Sequence, residues 1–441
     1  MKANGIAGYQ LFEAGSGIPI GPVESLSDEW VDLILHTLKE SERLGLEFAM
    51  HNCPGWSSSG GPWITPDKAM QIITWSETKI TGGKQVRIQL PTPKHMFDYY
   101  IDTYCLAIPA NMKVIPRLSI LELSNRLDKD GVLTWDVPTG EWLIMRFGQT
   151  AKDQKNKSAP SKSTGLDCDK FSTEALDYHL NCMFKRLMPA MEKIAKHSKI
   201  GLLIDSYETG DQDWTSDMPA YFEQSHGYEL YPFLPVLANK IVESEESTKR
   251  FLFDFRRVRA DMFAERYYGH FQKRCKEKGI ITYTEPYGGN MMEELQVAQQ
   301  LDINMGEFWC GQTVLWANYK YNRTVKQVAS IAHTLGGKVV GAEAFTSEPD
   351  ADKWLQYPYA LKSLGDYMFT RGLSRIYFHR FAHQPHPTAA PGMTMGAWGL
   401  HFDRTNTWWK PGKAWIEYLN RCQYIFQSST FYGDILYPVS Y

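Results

Sequence analysis

Apolar positions along the chain change their spacing twice, and each change marks a boundary. Over residues 28–45, Trp30, Leu33, Ile34, Leu38 and Leu44 recur at helical spacing, and Gly45 stands where a left-handed cap closes a helix. Short apolar runs flank it at 6–12 and 46–50. Strand, helix, strand is the unit of a parallel sheet. The unit then recurs. A strand at 201–204 follows a helical segment at 172–197, and one at 280–284 follows a helical segment at about 247–278. Further strands are expected at 303–305, 338–342 and 375–378. Seven strands in this rhythm predict an α/β fold, a (β/α)8 TIM-like barrel, in preference to an open doubly wound sheet. An eighth strand, first in the barrel, is expected upstream of Met1, because residues 1–5 read as the last turn of a helix with its glycine cap.

From about 72 to 148 the spacing becomes period two, as in Gln85-Val86-Arg87-Ile88-Gln89-Leu90 and Trp142-Leu143-Ile144-Met145-Arg146-Phe147. This predicts a small inserted β domain at 72–150, with the barrel formed by 1–71 and 151–441. The lysine- and serine-rich stretch 152–163 reads as a solvated return linker.

Composition narrows the function. Of 441 residues, 43% are hydrophobic and 22% charged, the usage of a folded chain. Lys plus Arg is 47 against Asp plus Glu 50, so no basic surplus argues for nucleic acid. No apolar run is long enough to span a membrane, and the first residues lack the pattern of a signal peptide. Seven cysteines form no CxxC pair, which argues against a disulfide framework or a structural zinc site. Trp and Tyr, at 14 and 24, supply flat amphipathic faces that suit sugar rings as well as cores.

The candidate chemistry is carboxylate chemistry. Glu208, Glu285, Glu307 and Glu343 each follow an apolar strand core, and Asp205 lies close before Glu208. Barrel strand ends converge on the axis, so these groups share one pocket and shift one another's pKa, the equipment of a glycosidase. The structural alternative is that each pairs with an arginine, as Glu343 could with Arg380. After the second strand, the loop at 51–63 offers His51, Asn52, Trp56 and Trp63 to a sugar; tryptophans packed beneath a glycine-rich loop are the competing reading. Tyr287, His379 and Arg380 are further candidates for substrate contact. His379, His383 and His386 lack the spacing of known metal ligands, and Cys310 has no matching histidine spacing for a nucleophile.

Several motifs together resemble one family. Ala7-Gly8-Tyr9-Gln10-Leu11-Phe12-Glu13-Ala14-Gly15, the 51–63 loop, Gly165-Leu166-Asp167-Cys168-Asp169-Lys170, Asp205-Ser206-Tyr207-Glu208 and Gly341-Ala342-Glu343-Ala344-Phe345 are similar to glycoside hydrolase family 106, the α-L-rhamnosidases. The likeness spans nearly the whole chain. It implies an inverting hydrolase of terminal α-L-rhamnose on plant or bacterial polysaccharides or glycosides, with a calcium ion (Ca2+) at the sugar and a catalytic barrel followed by β-sandwiches. It also implies Glu208 as acid, held protonated beside Asp205 and Glu343, and Glu343 as base. Asp205 and Glu307 are implied as further required carboxylates, with calcium near Asp205, Glu307 and Glu343. Full-length members are expected in the periplasm or secreted. Members are longer at both ends, which leaves open a carbohydrate-binding fragment without turnover, and a barrel glycosidase for another sugar.

Overall fold

The computed structural model describes residues 1–56, 59–310, 316–337, 339–347, 354–386, 388–393, 398 and 401–438, with the side chains of 316–322 outside that description. Ser57, Ser58 and Lys338, named in the expected loop and strand, therefore lie outside the described residues.

Seven parallel strands form one sheet in sequence order: β1 (Gly8–Leu11), β2 (Glu47–His51), β3 (Ile200–Ile204), β4 (Ile281–Thr284), β5 (Ile303–Cys310), β6 (Val340–Ser347) and β7 (Arg375–Phe378). The sheet curls into a nearly closed barrel. Arg375 at the start of β7 reaches across to an ion pair with Glu47 at the start of β2. Inside, Tyr283 and Tyr377 meet edge to face at 6.0 Å, above a filling of Ala49, Leu203, Ile303 and Met305. Interlocking side chains make the lumen a core and leave the strand ends for chemistry. Among the described residues no ladder joins β1 to β7. There the C-terminal helix α4 (Lys413–Ser428) packs against the N-terminus, and Asn420 Nδ2 donates to the Gly5 carbonyl at 2.8 Å.

Local chemistry starts and stops the helices as the pattern requires. In α1 (Asp28–Leu44), Ser27 Oγ accepts from Trp30 N at 3.1 Å, and Gly45 closes the last turn at φ 61°. In α2 (Thr173–Ile194), Ser172 Oγ accepts from Ala175 N at 3.2 Å. The long helix expected at 247–278 instead runs as α3 (Glu245–Met262), a π-helical turn over Phe263–Gly269, and a short helix His270–Lys276. That widened turn buries Tyr267 and Tyr268 beneath the strand ends.

Between β2 and β3 the period-two region forms a four-stranded antiparallel sheet whose central strand, Glu141–Ala151, pairs with Gln71–Thr81 and Ile101–Pro109. One face carries its own core, including Leu90, Leu133, Trp135 and Ile144. The other face, through Leu106, Ile108, Met145 and Phe147, joins the large core shared with the helices around β2 and β3.

The stretch 152–163 is not a solvated linker. Asn156 is buried and donates to the Pro54 carbonyl at 3.0 Å, and Ser158 O accepts from Gly15 N at 2.8 Å. The backbone of this polar segment is satisfied by the loops after β1 and β2, so it lies across them.

Candidate active site

Strand register brings the carboxylates together. Glu307 on β5 stands directly opposite Glu343 on β6. Ile204 pairs with Thr284, so Asp205 and Glu285 leave adjacent strands side by side. Beyond them the loops cross closely: Tyr207 N donates to Tyr287 O at 2.9 Å, and a Cβ at Gly288, φ 116°, would meet Tyr207 O at 2.3 Å. Only glycine permits that approach.

Oxygen atoms of Asp205, Glu285 and Glu343 lie within 4.8 Å of one another, the one such grouping among the described residues. Glu285 rather than Glu307 thus completes this trio, a difference from the set expected for a metal. Burial, then the nearby Glu343 charge, raises Asp205 to about 7. Glu307 rises to about 8, again by burial first and Glu343 second. Glu285 is raised well above the usual carboxylate range by burial and then by Asp205, with which it shares a hydrogen bond. That bond requires one of the two to hold a proton. Tyr287 OH donates to Glu285 Oε2 at 2.5 Å, which makes it a support of that carboxyl.

Histidines flank the pocket. His51 Nε2 is 3.7 Å from Asp205, and His379 Nδ1 is 3.8 Å from Glu343. Burial lowers His51 to about 3 and lowers His379 as well, so both are neutral near pH 7. Glu343 also accepts from Thr346 Oγ1. The expected alternative of a Glu343–Arg380 ion pair is not what the structure has: Arg380 Nη1 donates to the Trp398 carbonyl at 2.5 Å. Asn52 spends its amide inward, donating to the Leu203 carbonyl at 2.8 Å and accepting from Ser59 Oγ at 2.6 Å, so it fastens the loop.

Glu208 stands at the mouth. It ion-pairs with Lys157 and accepts from Trp56 Nε1 at 3.2 Å, with its side chain 38% exposed. This replaces the expected crowding by Asp205 and Glu343. Trp56 stacks on Phe12 at 5.7 Å, and Phe12 also meets His51 at 4.5 Å and His379 at 6.5 Å. Phe12, Lys157 and Thr346 were not singled out by sequence. An aromatic closing the first apolar run was a usable signal for Phe12. A lysine in a lysine-rich stretch gave none. His383 and His386 stay apart from the carboxylates, His386 bonding to Thr388 at 3.3 Å, and the Cys310 thiol donates to the Phe345 carbonyl at 3.2 Å.

Comparison with known proteins gives the lineage of this barrel with its strand-end acids and aromatic mouth. The family described as alpha-L-rhamnosidase, glycoside hydrolase family 106, matches residues 1–103 and 94–440. The chain belongs to this family. A relative from Formosa agariphila, named "Putative beta-glucuronidase", is 39% identical over 99% of this chain and 39% of its own length. A solved rhamnosidase from Novosphingobium sp. PP1Y superposes with a TM-score of 0.88 at 22% identity, over 97% of this chain and 57% of that one. The chain therefore spans less than two thirds of either relative, and the likeness to the rhamnosidase structure is one of fold.

Proposed function

We propose that the chain carries the catalytic barrel of an inverting α-L-rhamnoside hydrolase. The carrying observation is the division of labour among its carboxylates: Asp205, Glu285 and Glu343 converge inside, while Glu208 stands opposite solvent beside an aromatic ring. Glu208 delivers a proton to the leaving oxygen, and Trp56 supports the sugar face. Glu343, oriented by Thr346 and His379, takes the proton of the attacking water. In an inverting site acid and base are separated by roughly 6.5–9.5 Å to admit that water. Glu307 and Asp205 hold ring hydroxyls or the water in line. The break in the ladder between β1 and β7 and the separate core of the antiparallel strands support the eight-stranded barrel and the inserted domain of this reading.

The donor set fits calcium. Asp205, Glu285 and Glu343 offer hard oxygen ligands in one place, and their mutual repulsion is what a bound dication would relieve. Calcium there would fix sugar hydroxyls and favour the charged carboxylates. Activity is expected to fall on chelation and return with added calcium.

Proton NMR of the first sugar released from an aryl α-L-rhamnoside tests the mechanism. Initial β-L-rhamnose supports inversion; initial α-L-rhamnose requires a covalent intermediate and overturns the roles given to Glu208 and Glu343. The name of the Formosa relative favours a second substrate, so an aryl β-D-glucuronide belongs in the same assay. Turnover of that compound alone would replace rhamnose in this reading.

A further inference from the structure

A second cavity lies where the antiparallel sheet meets α3. It holds about 280 Å³ and is lined by Trp75, Phe255, Leu252, Arg256, Arg259 and Asp213. That volume is near the lower end of ligand pockets, roughly 300–1,000 Å³, and suits a single sugar unit.

Its cations are under-used. Arg259 gives only Nε to the protein, donating to the Gln212 carbonyl at 3.0 Å, and burial lowers its pKa. Among the described residues its two terminal amino groups, Arg256 and Trp75 Nε1 make no hydrogen bond or ion pair. Asp213 offsets part of the charge while accepting from Ile73 N at 2.9 Å, and Asp211 is near enough to act on Arg259. Two guanidinium groups beside an indole can take a carboxylate or sulfate in bidentate fashion and stack a sugar ring.

The cavity is joined to the mouth of the active site by one loop. Lys157 pairs with Glu208, Lys152 Nζ donates to the Asp211 carbonyl at 2.5 Å, and Arg259 holds Gln212. Cations thus follow the loop from the acid outward. A leaving group protonated by Glu208 would extend along that side.

We propose that this cavity binds one acidic sugar unit of the glycan, its carboxylate or sulfate ester held by Arg256 and Arg259 and its ring laid on Trp75. The glycan identity rests on the function proposed above; the anion preference rests on the cavity alone.

Affinity electrophoresis of the full chain in gels containing a uronate-bearing, a sulfated or a neutral polysaccharide tests it. Retardation is expected in an acidic gel, and which acidic gel retards identifies the anion. Arg256→Glu and Trp75→Ala should each weaken retention by tenfold or more, with hydrolysis of an aryl α-L-rhamnoside within twofold of the unmodified chain. No retention in either acidic gel, equal retention by the neutral gel, or unchanged retention of Arg256→Glu overturns the proposal. Arg256-dependent retention in a chain that cleaves no rhamnoside would leave the cavity standing and remove the enzymatic reading instead.

Discussion

Beneath the pocket, the segment Asp167-Cys168-Asp169-Lys170 buries two acids and a lysine, and the strand ends bury Asp205 and Glu285 to a similar depth. Burial is the leading influence on the acids in both places, and it raises Asp167 and Asp169 to about 6. The second influence has opposite signs. For Asp167 it is the Lys170 ammonium, ion-paired with it; for Asp205 it is another carboxylate, Glu343. Asp169 also has partners, accepting from Thr215 Oγ1 at 2.8 Å and from Gln212. Buried charge with a partner builds architecture, whereas buried like charges are kept where a ligand or a proton is to be handled. Lys170 also lies over the Tyr267 ring at 4.9 Å, and Tyr267 OH meets Ser59 Oγ at 2.7 Å, so the compensated set props up the loop that carries His51 and Trp56.

Four perturbations distinguish the compensated acids from the uncompensated ones. Glu208→Gln removes the acid at the mouth and should cut turnover by about 10² to 10⁴ on a poor leaving group, less on an activated one. Steady-state kinetics on the two substrates gives that ratio, and equal losses on both would remove Glu208 from the acid role. Lys170→Met leaves Asp167 buried without its cation and should cost about 3–5 kcal/mol in chemical denaturation. A neutral effect would mean that the pair does not hold the segment.

A pH series separates the two sets further. Asp205 and Glu307 hold protons up to about 7 and about 8 in the fold, whereas unfolded carboxyls release them near about 4. The folded chain therefore binds more protons across this window, and the stability they contribute is full below about pH 4 and lost as pH rises to about 8. In chelator, Tm should fall over that range, and Glu285→Gln should flatten the slope. The smallest effect belongs to Lys157→Met. Its ion pair with Glu208 is half exposed, so stability should change by no more than about 1 kcal/mol, read as a nearly constant Tm.

Much of this was legible in the chain because hydrophobic spacing is a direct record of burial. The strand ends at Ile204, Thr284 and Phe378 fall where the apolar runs stop, and the carboxylates that follow were found for that reason. β5 and β6 run to Cys310 and Ser347, past the short apolar runs, because they continue pairing beside the pocket. Polar segments gave the wrong signal. Spacing alone does not show that Lys170 and Asp167 pair in the interior, and 152–163 read as solvated although neighbouring loops absorb its backbone bonds. No spacing rule could place Lys157 against Glu208, a contact between residues 51 positions apart.

On this reading the uncompensated acids serve chemistry at the expense of stability. Glu343→Gln, assayed for turnover of an aryl α-L-rhamnoside and for Tm in the same preparation, tests it most directly. A fall in kcat of about 10²-fold or more with Tm equal or raised is the expected result, since one member of a repelling set is neutralised. Turnover close to that of the unmodified chain, or a loss of Tm like that of Lys170→Met, would contradict it.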